Sequence, residues 1–158
     1  MGGGSPEMKE NMWEWHIKSE PVHVRQAVRD IQRCLDEWFP GQSNEERSDL
    51  RLIFSELLFN AVLHGNDSDI NKRVHIRLHA AGSFIRARIT DEGGGYNYAK
   101  MLAQINDDSD LYRETGRGLQ LVKALVEELS FDRDGRCVAF RKRVGSGGAG
   151  RGAVKRNG

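Results

Sequence analysis

Glu56 and Asn60 are the first residues of the sequence whose types and spacing could do chemistry. They lie four apart in a helical pattern, so they share one helix face, and His64 continues the same flank. A carboxylate and a carboxamide offer oxygen ligands that suit a hard cation such as Mg²⁺. An acid and an amide on a solvated helix face would explain the pair equally well.

Two glycine-rich stretches follow it. Asp91 directly follows a predicted strand and precedes three glycines, at 93–95, whose backbone would let a flat ligand approach closely. Gly116-Arg117-Gly118-Leu119 precedes a predicted helix, where free backbone amides and the positive end of the helix could bind phosphate. A flexible turn and a glycine N-cap are the alternative explanations.

The first half of the chain supplies a strand and two helices to position these residues. Alternation predicts a strand over 13–18, and an apolar stripe predicts a helix with Ser19 as its N-cap. Ser43 and Glu46 form a predicted capping box at the start of a second helix, which ends at Gly65. Glu56 and Asn60 belong to this second helix.

The second half predicts two hairpins around a loop and a helix. Residues 73–80 and 83–90 alternate around Ala81-Gly82. Residues 91–118 are predicted to form a long binding loop or lid with a short helix near 98–105, before a helix that begins after Gly118. Strands near 129–133 and 137–144 flank a turn at Asp134-Gly135. This order predicts an α+β, two-layer sandwich, in which helices cover one face of a mixed, mostly antiparallel sheet.

Length and charge limit the classes of function. The 158 residues fit one domain, which we place at 12–144, between a disordered or cloning-derived N-terminus (1–11) and a disordered basic Gly-rich tail (145–158). Six basic and no acidic residues follow position 140, which leaves the rest of the chain at a net charge of −5 and argues against direct nucleic-acid binding. No apolar run is long enough to span a membrane, and two isolated cysteines fit a reduced, cytoplasmic protein.

Taken in order, the three stretches resemble the N, G1 and G2 boxes of the GHKL ATPases, the superfamily of gyrase, Hsp90, MutL and the histidine kinases. The boxes are Glu56–Gly65, then Asp91-x-Gly93-x-Gly95, then Gly116-x-Gly118-Leu119. The resemblance covers roughly residues 12–143 and implies a Bergerat-type ATP-binding fold. An N box that ends Asn-Ala-x-x-His-Gly in a short chain is most similar to the bacterial anti-sigma factor serine-protein kinases.

The resemblance implies a role for each residue of the boxes. Asn60 would coordinate Mg²⁺ on the ATP phosphates, and Glu56 would be the general base for a protein serine. Asp91 would accept a hydrogen bond from the adenine amino group. Residues 96–115 would form a lid over the nucleotide. The remaining cofactor-binding residues it implies are Gly93 and Gly95 at the base, and Gly116, Arg117, Gly118 and Leu119 at the phosphates.

It also implies partners. Members of this family bind a sigma factor and phosphorylate a small STAS-type anti-anti-sigma protein, and they commonly form homodimers through the first strand, where Trp13 and Trp15 would be exposed. One departure is Cys137, which occupies the place where the family often has a threonine or serine for the adenine; a thiol is a weaker hydrogen-bonding group.

Two other functions remain open. A non-catalytic module could bind ATP only to set its shape, and the weakened contact at Cys137 favours that reading. The catalytic domain of a two-component histidine kinase would need a phosphoacceptor helical hairpin, whereas His16 and His23 fall within the predicted first strand and helix. A GxxxxGK[ST] phosphate-binding loop is absent from the sequence, and the spacing of His16, His23, His75 and His79 shows no metal-ligand cluster.

Overall fold

A computed structural model of the protein describes residues 10–94, 110–132 and 135–145, with backbone alone at 110–116. Residues 95–109, which hold Gly95, most of the predicted lid and the predicted helix near 98–105, lie outside the described residues, as do most of 1–11 and the tail. The elements are β1 (Glu10–Lys18), α1 (Pro21–Trp38), α2 (Asn44–Asn60), a π-helical turn (Ala61–Gly65), β2 (Arg73–Ala81), β3 (Phe84–Thr90), α3 (Asp110–Leu125), β4 (Glu128–Phe131) and β5 (Cys137–Arg143).

Five strands form one sheet in the order β1-β2-β3-β5-β4, and all pairings among the described strands are antiparallel. Their residues alternate between a buried and a more exposed face, as β2 shows with Val74, Ile76 and Leu78 fully buried between exposed or half-buried neighbours. The predicted α+β class is confirmed, with a sheet that is antiparallel rather than mixed.

The helices begin where local chemistry favours them. The predicted capping box of α2 is present: the Glu46 amide donates to Ser43 Oγ at 3.0 Å, and the Ser43 amide donates to Glu46 Oε1 at 2.9 Å. At α1 the prediction was wrong by one residue, because Glu20 is the N-cap and Pro21 starts the helix. Ser19 Oγ instead donates a hydrogen bond to the carbonyl of Lys72, just before β2.

The helices cover the buried face of the sheet, and α2 lies against both α1 and α3. Its side chains Leu50, Ile53, Phe54, Leu57 and Leu58 are buried, and the Phe54 ring meets Phe140 of β5 edge-to-face at 5.4 Å. These contacts fix α2, which carries Glu56 and Asn60, against the sheet.

Two features differ from the sequence prediction. The loop predicted over 91–118 is shorter, because α3 begins at Asp110 and includes the two glycines at 116 and 118. Trp13 and Trp15 are partly buried against the core rather than exposed, and Trp13 packs edge-to-face on Trp38 at 6.3 Å. The tryptophans therefore stabilise this domain, so they are not evidence for a dimer surface.

The C-terminal end of α3 is anchored by a buried lysine. Lys142 is only 9% exposed, and its Nζ donates to the Leu125 carbonyl at 2.6 Å. A cation there also interacts favourably with the negative end of the helix dipole. The contact holds α3, and with it Gly118, in place beside α2.

Candidate functional site

Glu56 and Asn60 lie on the last turns of α2, one turn apart on the same face. Glu56 is half-buried, whereas Asn60 is 5% exposed. The Asn60 Nδ2 atom is buried and has no hydrogen-bond partner in the described part of the chain. A buried amide group of this kind costs free energy unless a ligand or water pairs with it.

Gly118 of α3 lies directly against Glu56. A Cβ atom at Gly118 would stand 2.8 Å from Cδ of Glu56 and would overlap its Oε1. Ordinary carbon contacts are about 3.5–4.0 Å, so a Cβ at Gly118 would require the Glu56 carboxylate to move from this position. The two boxes that hold these residues are therefore neighbours in space, as the sequence interpretation requires.

A second close approach joins the π turn to the loop after β3. A Cβ at Gly65 would lie 2.5 Å from Cγ of Asp91, and a Cβ at Gly93 would lie 2.7 Å from the carbonyl carbon of Gly65, nearer still to its oxygen. The π turn that makes this contact is a rare geometry found often at functional sites. Gly94 has nothing within 4 Å.

Asp91 is a buried acid at the end of the site next to the π turn. It is 3% exposed; its Oδ1 accepts a hydrogen bond from the Gly93 amide at 2.9 Å, and its Oδ2 is buried without a partner among the described residues. Burial raises the pKa of Asp91, and the Gly93 hydrogen bond and the charge of Arg136 oppose that rise in part. The unpaired Oδ2 atom needs a hydrogen-bond donor, which a bound ligand could supply.

Asn66 is a site residue that sequence reasoning missed. It is fully buried; its Nδ2 donates to Ser19 Oγ and to the Arg73 carbonyl, both at 2.9 Å, and its Oδ1 accepts from the Glu92 amide at 2.7 Å. Ser19 Oγ in turn donates to the Lys72 carbonyl at 2.8 Å. Asn66 thus ties the end of β1 and the start of β2 to the residue that follows Asp91.

The predicted phosphate cradle is wrong in one respect. Gly116 and Gly118 are the seventh and ninth of the 16 residues of α3, so their amides come after the first turn, in which helix amides lack partners. Leu119 is fully buried in the core, and Arg117 is exposed. The part of the predicted lid that the structure describes, 110–115, is helical.

The place expected for an adenine contact also changes. Cys137 pairs with Thr90, and the neighbouring pair, Val138 and Ile89, is buried under the helices. Because side chains alternate between the two faces of a sheet, the Cys137 side chain is on the face away from Asp91. Arg136 is in phase with Asp91, whose amide donates to the Arg136 carbonyl at 2.9 Å. The prediction that Cys137 weakens the adenine contact is therefore wrong, because the strand register directs it elsewhere.

His64 follows Asn60 by four residues, but the π turn lies between them and alters the helical phase. Burial lowers the pKa of His64, with Asp67 opposing the change, so the imidazole is neutral near pH 7. A half-buried histidine in the π turn fits a helix-end packing role.

The geometry thus gives a buried acceptor at one end of the α2 segment and a carboxylate beside a glycine at the other.

Comparison with known proteins agrees with the predicted family. The family model described as the histidine kinase-like ATPase domain matches residues 17–142. The chain belongs to this family.

The chain is similar in sequence to two bacterial proteins that have the same name. The chain is 27% identical over 96 residues to the serine-protein kinase RsbW of Staphylococcus aureus (strain MSSA476) and 28% identical over 94 residues to that of Bacillus subtilis (strain 168). These matches cover 57% and 56% of this chain, and 60% and 59% of the relatives, respectively. The chain therefore matches about three fifths of the length of these relatives.

A solved structure supports the fold. The RsbU and RsbW domains of Rv1364c from Mycobacterium tuberculosis align with a TM-score of 0.53 and 21% identity, over 85% of this chain and 32% of the other. No helix among the described residues of our chain is long and apolar enough to cross a membrane.

Proposed function

We propose that this chain is an anti-sigma factor and ATP-dependent serine-protein kinase, which binds ATP and Mg²⁺, sequesters a sigma factor and phosphorylates a serine of a STAS-type anti-anti-sigma protein. The single observation that supports it best is the unpaired Asp91 Oδ2, because a buried acceptor fits the amino group of adenine. The similarity to relatives named serine-protein kinase favours the same activity.

The nucleotide would lie along the end of α2 and the π turn. Its adenine would meet Asp91 near Gly65 and Gly93, and its phosphates would reach Asn60 and Glu56. At 1.5 Å per residue, Glu56 and Gly65 are roughly 13 Å apart along the helix, which leaves room for a ribose and a phosphate chain. Gly95, Gly116, Arg117, Gly118 and Leu119 stay in the proposed cofactor-binding set through the resemblance alone.

The residues present fit Mg²⁺. Asn60 would supply its carboxamide oxygen, a ligand type that hard cations accept, while its buried, unpaired Nδ2 is a donor that would pair with a phosphate oxygen. Bound there, Mg²⁺ would neutralise charge on the phosphates, the main requirement of phosphoryl transfer.

Glu56 is the proposed general base. The serine oxygen of the partner attacks the γ-phosphorus, the bond from that phosphorus to the ADP oxygen breaks, and the serine proton passes to the Glu56 carboxylate. ADP leaves with the bonding electrons, and the phosphoserine remains on the partner. Gly118 would leave room for the carboxylate on that side, because a larger residue there would meet it.

The proposal includes a cytoplasmic location and a homodimer. Among the described strands β1 pairs only with β2, which leaves one edge of the sheet for a second copy. Light scattering coupled to gel filtration checks this part separately: a monomeric mass at every concentration tested would remove the dimer from the proposal.

Radiolabelled ATP, Mg²⁺ and a purified STAS-type protein of the same organism test the kinase activity. We expect label on a serine of that protein. Glu56→Gln should lower transfer by about 10²-fold or more while ATP binding persists, and Glu45→Gln, at an exposed glutamate in the first turn of the same helix, should transfer normally. Absence of serine labelling at every magnesium level, despite ATP binding, would leave a non-catalytic ATP-binding module.

A further inference from the structure

Two histidines from different strands stack on the sheet face away from the helices. His16 of β1 lies directly opposite His75 of β2 in the antiparallel register. Their ring centroids are 4.3 Å apart and the planes differ by 5°. The prediction of no histidine cluster was wrong, because positions 59 apart in sequence become neighbours only through strand pairing.

Glu14 completes a group of three potential ligands. Its Oε2 lies 3.7 Å from His75 Nε2, and one ligand atom from each of Glu14, His16 and His75 lies within 4.8 Å of the others. His75 Nε2 is itself buried and has no hydrogen-bond partner in the described ranges. A buried ring nitrogen next to a carboxylate, with its bonding capacity unused, indicates that something else binds there.

We propose that Glu14, His16 and His75 bind a divalent transition-metal ion of the zinc class. Two imidazoles and a carboxylate are a ligand set that Zn²⁺ accepts, with bonds of about 2.0–2.2 Å. Imidazole ligands favour Zn²⁺, Ni²⁺ and Cu²⁺ over Mg²⁺ and Ca²⁺. Three protein ligands leave a fourth tetrahedral position for water, since Glu14 and His16 are exposed.

The ligand atoms need to approach one another by at most about 1.4 Å, and the two stacked rings must tilt, because the lone pair of an imidazole nitrogen lies in its ring plane. In a tetrahedron with bonds of about 2.1 Å, ligand atoms are roughly 3.4 Å apart, against separations up to 4.8 Å here. Rotation about the side-chain bonds of exposed residues provides this shift without backbone movement. The paired strands supply the rigid support that such a site requires.

Arg77 is the group that opposes metal binding. It lies opposite Glu14 in the register, and its Nε donates to Glu14 Oε2 at 2.8 Å. A carboxylate has two oxygens and can bond an arginine and a metal together, but the positive charge lowers the affinity for a cation. Removal of Arg77 should therefore tighten the site.

This site is separate from the nucleotide site. Residues of a strand alternate between faces, and the face opposite His75 carries Val74 and Ile76, which are buried under the helices. Asp91 is in phase with the buried Ile89, on the helix side. Zinc binding can therefore succeed or fail whatever the outcome for ATP.

Calorimetric titration of the full chain with ZnCl₂, with MgCl₂ as the comparison ion, tests the proposal. We expect one Zn²⁺ per chain, at least tenfold weaker binding in His16→Gln and in His75→Gln, and no comparable heat from Mg²⁺. His79→Gln is the matched control: it lies on the same strand and face but pairs with Glu10 at 2.7 Å, so it should bind like the parent.

Two further measurements decide the ligand set. Co²⁺ should give a visible absorption band in the parent that is lost in His75→Gln, and Arg77→Gln should bind Zn²⁺ more tightly than the parent. The proposal is overturned if the parent binds no Zn²⁺, or if His16→Gln and His75→Gln bind as tightly as His79→Gln. Circular dichroism of each variant excludes unfolding as the reason for a loss.

Discussion

Gly93→Ala tests the close approach on which the adenine end of the site depends. The added Cβ would lie 2.7 Å from the carbonyl carbon of Gly65, whereas carbons in contact are about 3.5–4.0 Å apart. The loop or the π turn must therefore move by about 0.8 Å or more. Overpacking of this kind costs about 1–3 kcal/mol. In a domain of this size, about 2–4 °C per kcal/mol gives a fall in melting temperature of about 2–12 °C.

The same movement should weaken ATP binding. The Gly93 amide holds Asp91 Oδ1 at 2.9 Å, so a displaced Gly93 displaces the carboxylate proposed to read adenine. We expect about a tenfold or greater rise in Kd, equivalent to about 1.4 kcal/mol.

Calorimetry and thermal melts of Gly93→Ala and Gly94→Ala provide the assay. Gly94 has nothing within 4 Å, and the alanine there should change stability by less than about 0.5 kcal/mol. Equal behaviour of the two variants would refute the reasoning, because the two glycines are adjacent and differ in the space around them.

Three further outcomes follow. Asn66→Ala should lose about 2–4 kcal/mol in chemical denaturation, because it leaves buried partners unpaired, while Asn71→Ala, at an exposed position nearby, should change little. The pKa of Asp91 is raised in the folded state, so the folded protein keeps the Asp91 proton to a higher pH than the unfolded chain does. The stability of the protein should therefore fall as the pH rises above about 3.9. Thermal melts of Asp91→Asn at a series of pH values should not show this fall. Ser43→Ala should cost about 1 kcal/mol through loss of the α2 cap, measured in urea.

Much of the fold could be predicted because local rules governed it. The capping box at Ser43, the apolar stripes of α1 and α2, and the alternation of β2 and β3 are short-range patterns that tertiary contacts did not override. The start of α3 could not be found this way. Gly116 and Gly118 suggested a helix start, since glycine is poor within helices, yet the helix continues through them, and Gly118 lies against Glu56.

The site was predicted only where the type of a residue and its neighbours in sequence indicated a function. Asp91 lay beside glycines, and the structure gives it the buried, unpaired acceptor that the interpretation needed. Asn66 looked like an ordinary loop residue, because the three hydrogen-bond partners of its side chain lie 7, 26 and 47 residues away in sequence. The prediction for Cys137 was wrong because it depended on the strand register. A shift of one residue in the register moves a side chain to the other face of the sheet, and composition does not reveal the register.

The affinity of the chain for ATP against inosine triphosphate, measured by calorimetry with Mg²⁺ present, tests the central claim most directly. Inosine carries a carbonyl where adenine carries its amino group, so Asp91 Oδ2 would lose its donor. A hydrogen bond to a charged group is worth about 1.5–3 kcal/mol, and we therefore predict that ATP binds about 10- to 150-fold more tightly. Equal affinity for the two nucleotides, or no binding of ATP, would contradict the assignment of Asp91 and the site built around it.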